Sequence, residues 1–306
     1  MKVLMISGDQ KLLREGSEEH ARLQLQRSRV ERLDVFVWPH VHSVVEIGRA
    51  ARAHHYDVIT TQDPFWRGLL GLTLSWLTRA RLNVQVHADI AGQSVIKRVL
   101  ARIVLRQADS VRVVSEKLKR QVLHIVPNVT VTLLPLYIDI SKFSSIYRRP
   151  HSGKNVLWMG RFEREKDPLE AIHVLKEVLK EIPDATLTMI GDGSLRHHLS
   201  AAAADLPVHL PSGWQDPLVY LDTADVLLST SPYESWGAVF VEALAAGVPV
   251  VAPDVGIARE AGAIVVPRSK LASAVVKVLQ SGEQGVLKLP LPSAEEWARQ
   301  WRESLI

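Results

Sequence analysis

Two glutamates stand eight positions apart in "SPYESWGAVFVEALAAGVPVVAPDVGIARE" (Ser231–Glu260), and the second sits where a charge is costly. Between Gly237 and Val251 every residue other than Glu242 is Ala, Val, Phe, Leu, Gly or Pro. An ionised carboxylate inside such an element is unfavourable unless something pairs with it or binds it. A carboxylate accepts two hydroxyl hydrogen bonds, so a vicinal diol such as a ribose suits Glu242; a neighbouring Arg or backbone amide is the competing partner. A helix is predicted to begin at Gly237 and to close at Gly247, the favoured residue type just past a helix end. The N–H groups of Gly237, Ala238 and Val239 would then lie exposed at the positive end of the helix dipole, with Glu234 in the loop before them and Glu242 about one turn inside.

Two further turns carry ligand-binding groups. In "MGRFEREKDP" Gly160 admits close backbone approach, Arg161 offers a bidentate fork and Lys166 adds a point charge. An Arg and a Lys five apart on a strand-to-helix loop suit two neighbouring phosphates; an ordinary charged surface loop is the plainer reading. "IGDGSLRHHL" (Ile190–Leu199) sets Gly191 and Gly193 around Asp192, a pattern that a plain tight turn also explains.

The elements that must position these residues are legible as short apolar runs. "KVLMIS", "DVFVW", "DVITTQ", "NVQVH", "SVRVVS" and "VTVTLLP" occupy the front half, and "NVLWMG", "TLTMIG", "VHLPSG", "DVLLSTS", "PVVAP" and "AIVVP" the back half. Runs this short, with helix-length segments between them, read as parallel strands buried on both faces. Six and six, separated by the polar "SKFSSIYRRPHSGK" (Ser141–Lys154), predict an α/β protein of two doubly wound, Rossmann-like domains, residues 1–145 and 146–290. In such sheets ligands bind where strands end and helices begin.

Asp167-Pro168-Leu169-Glu170 has the signature of a capping box, followed by the stripe Leu169, Ile172, Leu175, Leu179 and Ile182. Ser293-Ala294-Glu295-Glu296 opens a last helix in the same way. Trp297, Trp301 and Leu305 recur every four residues along it, so residues 291–306 are expected to pack back on the N-terminal domain.

Composition bounds the rest. The 306 residues are 47% hydrophobic and 23% charged, a globular balance, and contain no cysteine, which excludes disulfides and thiolate metal sites. Met1–Ser7 reads as a strand and not as a leader, and Gly68–Leu77 is about half of the ~20 residues a membrane-spanning helix needs. The expectation is a cytoplasmic protein, free or on a membrane surface. Residues 1–145 hold 21 Lys/Arg against 13 Asp/Glu, the remainder 16 against 20. The front half should therefore meet something acidic. The twelve histidines include His54-His55 and His197-His198, adjacent pairs on helical patterns whose solvated role outweighs metal ligation. No Asp-x-Asp occurs, so a metal-clamped diphosphate has no obvious ligands, and neither metal nor cofactor is expected.

The order and spacing of several motifs resemble the retaining glycosyltransferases of family GT4. Glu234 and Glu242 match that family's E-x7-E element, "GRFEREKDP" its G-R-x-x-x-x-K-G loop, and "IGDGSLR" its G-x-G turn. "YLDTADVLLSTSPYE" matches the usual lead-in to the first glutamate. The likeness covers Asn155–Pro267. In the front half "YDVITTQDP" and "VQVHADI" are similar to two acceptor-domain strands, with His87 at the place of the family's active-site histidine. The sequence departs from the pattern at the first loop, where "SGDQKLLREGSEEH" has Gly16-Ser17 in place of a Gly-Gly loop. It departs again at Leu136-Tyr137-Ile138-Asp139, and at Gly256-Ile257 where two glycines are usual.

The resemblance implies the GT-B fold, two Rossmann-like domains facing across a cleft, and transfer of a sugar from a UDP-, GDP- or ADP-sugar to a hydroxyl acceptor with retention. Glu242 would hold the ribose and Glu234 would face the sugar ring. The amides of Gly237, Ala238 and Val239, with Gly160 and Gly191, would line the donor site. Arg161 and Lys166 would neutralise the leaving diphosphate, and His87 would meet the sugar from the acceptor domain. A sugar-nucleotide-binding protein without transferase activity, or an epimerase on the same fold, are the alternatives; no nucleic acid is expected as partner.

For the acceptor, Arg98, Arg102 and Arg106 lie four apart on one face of "SVIKRVLARIVLRQ", with Ile96, Val99, Leu100 and Ile103 on the other. With Gly16 they form a candidate acceptor or membrane surface. It suits a lipid-linked or cell-envelope acceptor and peripheral contact with anionic lipid on the inner face of the membrane; a solvated basic helix face is the competing reading.

Overall fold

In a computed structural model, which describes residues 1–38, 44–213 and 215–306, each of the twelve apolar runs contains a strand. Lys2–Ser7 (β1), Arg32–Val37 (β2), Val58–Thr61 (β3), Arg81–Val86 (β4), Ser110–Val113 (β5) and Thr130–Leu133 (β6) form a parallel sheet in the order β2-β1-β3-β4-β5-β6. Lys154–Met159 (β7), Ala185–Ile190 (β8), Val208–His209 (β9), Val226–Leu228 (β10), Val250–Ala252 (β11) and Ile264–Val265 (β12) form a second, ordered β12-β11-β10-β7-β8-β9. The central strands are buried because helices cover both faces, as parallel sheets require, and the polar side chains they carry, Thr60, Asn83, Gln85 and Arg112, hydrogen-bond to one another. Val3 to Ile6 of β1 are all fully buried.

Helices follow the strands in turn. Glu18–Arg27 (α1), Val44–His54 (α2), Trp66–Thr78 (α3), Val95–Arg106 (α4) and Glu116–Ile125 (α5) belong to the first sheet, and the short Ser141–Ser144 (α6) follows β6. Pro168–Val178 (α7), Arg196–Ala202 (α8), Leu218–Leu221 (α9), Ala238–Ala245 (α10), Ala258–Ala261 (α11) and Leu271–Ser281 (α12) serve the second, and Ala294–Glu303 (α13) closes the chain.

The chain divides into two compact units, Met1–Ile138 with Leu291–Ile306, and Asp139–Pro290. The second unit begins at Asp139, earlier than the boundary read from the sequence after residue 145. The reason is α6: its Phe143 is buried, and the helix packs beside α10. Helix α13 belongs to the first unit. Its N-cap Ser293 accepts a hydrogen bond from the Glu296 amide (3.2 Å), and Trp297, Trp301 and Leu305 are fully buried in one core with Val3, Met5, Leu33, Val58 and Leu134. The Trp297 indole donates to the Pro135 carbonyl (2.8 Å) and Asn83 Nδ2 to the Ser304 carbonyl (2.7 Å), so polar as well as apolar contacts seat the tail.

Two local expectations are overturned. Asp167 does not cap α7 with its side chain; it adopts a left-handed conformation (φ 46°, ψ 57°) and gives its carboxylate to Arg268, a partner distant in sequence. Helix α4 packs through Ala101, Val104 and Leu105, while Ile96, Val99 and Ile103 are exposed alongside Arg98, Arg102 and Arg106. A helix with two apolar faces does not declare from its sequence which one is inside.

Candidate active site

In the second sheet the order runs outward in both directions from β7 and β10, which makes their junction a topological switch point. Connections from the two strands leave toward opposite sides, opening a crevice at the carboxyl ends. A cavity of about 130 Å³ lies there. Its wall comprises Trp158, Met159 and Gly160 at the end of β7, Lys166, Leu227 and Leu228 of β10 with Ser229 and Ser231 just after it, and Glu234, Gly237, Ala238 and Val239.

The Lys166 ammonium meets the Glu234 carboxylate at 2.5 Å, with side chains 21% and 10% exposed. At this burial the pair forms the electrostatic centre of the cavity. Beside it α10 begins at Gly237 without any side-chain cap, so its first amides keep hydrogen-bonding capacity at the positive end of the helix. A cation, a carboxylate and a bare helix start in one crevice can bind an anion and a polyhydroxyl group together.

Neighbouring turns hold this arrangement. Thr230 Oγ1 accepts from the Trp158 indole (2.9 Å) and donates to the Asp167 carbonyl (2.8 Å), which ties β10 to the loop carrying Lys166. The Phe162 amide donates to the Asp192 carbonyl and the Gly160 amide to the Ile190 carbonyl, lacing the β7 and β8 loops together. A Cβ on Gly191 would stand 1.8 Å from the Gly160 carbonyl oxygen, so only glycine allows that approach. Gly256 (φ 54°) plays the same part below Glu234. A Cβ there would come within 2.2 Å of the Trp236 carbonyl oxygen, which the Ile257 amide already engages at 2.9 Å.

Of the residues singled out in the sequence, Gly160, Lys166, Glu234, Gly237, Ala238 and Val239 share the cavity wall, and Gly191 supports it from behind. Arg161 does not reach the wall. Its exposed guanidinium pairs with Glu165 at 2.7 Å, the residue four positions on in the same loop, and nothing turns it inward. Glu242 is half-buried and lies outside the wall. It sits four residues beyond Ala238, on roughly the same helix face and about 6 Å further along α10.

His87 belongs to the first unit, at the carboxyl end of β4. Its Nε2 lies 3.3 Å from the Gln85 Oε1, which also accepts from the buried Arg112 Nη1 at 3.0 Å. Burial, and then the positive charges of Arg112 and Arg22, push its pKa down to about 3. The imidazole is therefore neutral at physiological pH and acts there as a hydrogen-bonding group, not as an acid. Gly16 (φ 81°) precedes Ser17, which caps α1 through the His20 amide. Arg98, Arg102 and Arg106 line the exposed side of α4. Among the described residues no group of three or more His, Cys, Asp or Glu gathers as metal ligands.

Sequence reasoning missed Thr230 and Arg268, and noted Gly256 only as a departure from a motif. Thr230 sits inside a motif quoted in the sequence; Arg268 carries no local signal, because its partners Thr230 and Asp167 lie on loops brought near only by the sheet order.

Two doubly wound parallel sheets, the second with a polar crevice at its switch point, define the GT-B class of architecture. Comparison with known proteins agrees. Residues 3–136 match the glycosyl transferase 4-like domain, and residues 153–281 match the glycosyl transferases group 1. The chain is 31% identical over 222 residues to a glycogen synthase of Mycobacterium tuberculosis (strain CDC 1551 / Oshkosh), covering 63% of this chain and 53% of that protein. It is 25% identical over 235 residues to an alpha-monoglucosyldiacylglycerol synthase of Streptococcus pneumoniae (strain ATCC BAA-255 / R6), covering 66% and 53%. The chain thus spans about half the length of the curated relatives it matches. In three dimensions it resembles Anabaena Alr3699/HepE, solved in complex with UDP and glucose, with a TM-score of 0.69, 15% identity, and coverage of 100% of this chain and 95% of that one. The chain belongs to the group 1 glycosyltransferases of GT4 type.

Proposed function

We propose that this protein transfers a sugar from a nucleotide-sugar donor to a hydroxyl acceptor, retaining the configuration at the anomeric carbon and using no metal. The observation that carries the reading is the meeting of Lys166, Glu234 and the uncapped start of α10 in one switch-point cavity. The diphosphate of the donor would lie against Lys166 and the α10 amides, which stabilise the charge that grows on it as the glycosidic bond breaks. Released from Lys166, Glu234 would face the sugar ring. Glu242, about 6 Å further along α10, would take the ribose hydroxyls. Arg161 would swing from Glu165 to the outer phosphate when the donor arrives, and neutral His87 would serve as a hydrogen-bonding group. With charge supplied by the lysine, the arginine and the helix, chelator should leave the rate unchanged.

A thermal-shift screen against UDP-, GDP- and ADP-sugars tests this. A true donor at 100 times its Kd adds about 2.7 kcal/mol. Glu242→Ala should abolish the shift and Arg161→Ala should weaken it; a normal shift in both would refute the site. Release of the nucleoside diphosphate with transfer to an acceptor separates catalysis from binding without turnover.

The exposed surface of α3 and α4 favours a lipid-linked acceptor at the inner face of the cytoplasmic membrane. Trp66 (51% exposed) and Trp76 (66%) on α3, with Ile96 (65%), Val99 and Ile103 on the adjacent α4, turn outward among Arg98, Arg102 and Arg106. Apolar side chains ringed by cations suit insertion at the headgroup level of an anionic bilayer. No helix among the described residues is long and apolar enough to cross a membrane. Binding to anionic vesicles that weakens with salt is expected; equal retention on neutral vesicles would refute the membrane reading.

A further inference from the structure

The loop that brings Lys166 to the cavity is fastened by a residue from another part of the sheet. After β12 the chain passes Pro267 into a short turn, Arg268–Lys270. From there the Arg268 guanidinium reaches across the carboxyl edge, donating through Nη1 to the Thr230 carbonyl and through Nη2 to the Asp167 carboxylate. Thr230 is itself bonded to the Asp167 carbonyl (2.8 Å), the Lys166 carbonyl (3.2 Å) and the Trp158 indole (2.9 Å). Arg268 therefore closes a ring of hydrogen bonds around the residue next to Lys166. That residue is under strain: Asp167 holds φ 46°, a left-handed conformation uncommon outside glycine, and it caps α7 without a side-chain bond. Such conformations persist where surrounding contacts over-determine them, and the planar two-pronged arginine fork supplies that contact here.

We propose that Arg268 is a positioning residue of the donor cavity, which clamps Asp167 to Thr230 and thereby fixes Lys166 opposite Glu234. The proposal rests on reading the cavity as a diphosphate subsite and adds to it how the lysine is placed. Arg268 contributes no wall to the cavity; it acts through the loop. Asp167→Gly, which accepts the left-handed conformation without a partner, should need Arg268 less.

The test compares Arg268→Met with wild type and Lys166→Ala in the full chain, by calorimetry with UDP, GDP and ADP as probes, and by amide hydrogen exchange without ligand. Arg268→Met is expected to weaken nucleoside diphosphate binding about tenfold. It should have little further effect in the Lys166→Ala background, because both changes remove the same contact. Arg268→Lys, which keeps the charge and loses the fork, should fall between. Exchange at the Lys166 and Asp167 amides, bonded now to the Glu163 and Arg164 carbonyls, should quicken at least tenfold while β8 keeps its protection. Losses that add fully to those of Lys166→Ala, or unchanged exchange at those two amides, would overturn the proposal. If Lys166→Ala leaves binding of all three diphosphates untouched, the diphosphate reading of the cavity falls instead, and the exchange measurement still decides whether Arg268 clamps the loop.

Discussion

Replacing Lys166 by Met should destabilise the Asp139–Pro290 unit more than replacing Glu234 by Gln. The two charges meet at 2.5 Å with side chains 21% and 10% exposed. At an effective dielectric of about 20 their attraction is roughly 7 kcal/mol, most of which offsets the desolvation of the two ions. What a single replacement exposes is the remaining, unpaired ion. Breaking a fully buried pair costs about 3–5 kcal/mol and a surface pair about 0–1. For Lys166→Met, which strands the less exposed carboxylate, we expect about 2–3 kcal/mol, or roughly 4–12 °C in Tm for a unit of this size. Glu234→Gln leaves a flexible ammonium that can turn to water, and should cost about 1 kcal/mol. The double variant should recover most of the Lys166→Met loss, since no lone charge remains. Scanning calorimetry on the four proteins measures the cycle. Equal single losses that sum in the double variant would show that the two residues do not interact, and the electrostatic description of the cavity would be wrong.

Between pH 7.5 and 5 wild type should lose about 1–2 kcal/mol more stability than His87→Gln. With its folded pKa lowered to about 3, His87 is neutral in the native chain while the unfolded chain takes up protons below about pH 6.5; denaturant melts at the two pH values would show no such difference if the imidazole were freely solvated. Gly191→Ala should cost about 2–4 kcal/mol and remove any donor-induced thermal shift, because its Cβ would strike the Gly160 carbonyl at 1.8 Å; a normal shift would mean that the two loops can part without harming the site. Ile96→Ser with Val99→Ser and Ile103→Ser should leave Tm within about 2 °C, since the side chains are exposed, yet weaken vesicle flotation. Arg98→Gln with Arg102→Gln and Arg106→Gln should weaken flotation on anionic vesicles by about 1 kcal/mol per charge removed.

The strands were legible because burial leaves short runs rich in Val, Ile and Leu, and the doubly wound order follows from alternating strands with helices. The parts of the site that lie on one loop or one helix start were legible for the same local reason: Gly237 opens α10, and Lys166 precedes Pro168. What escaped is long-range. Asp167-Pro168-Leu169-Glu170 carries a local capping signal, and a tertiary partner overrides it; Arg268 lies 101 residues away in sequence. Arg161 shows the converse. Spacing placed it with Lys166, but the nearer Glu165 holds it in solvent.

Two of the three cations of the "GRFEREKDP" loop are engaged by carboxylates, Lys166 by Glu234 and Arg161 by Glu165. On the proposed function an arriving diphosphate would displace two ion pairs, one partly buried and one exposed, and the cost would differ accordingly: exchange at Arg161 would be nearly free, while exchange at Lys166 would leave Glu234 unpaired. A ligand that offers phosphate without hydroxyls strands that carboxylate. A ligand that also presents sugar hydroxyls to Glu234 satisfies it. The cavity should thus prefer a nucleotide sugar to the bare nucleoside diphosphate in wild type, and Glu234→Gln should narrow that preference, chiefly by improving diphosphate binding. Titration of both ligands into both proteins measures it; an unchanged ratio would mean that Glu234 faces no sugar hydroxyl.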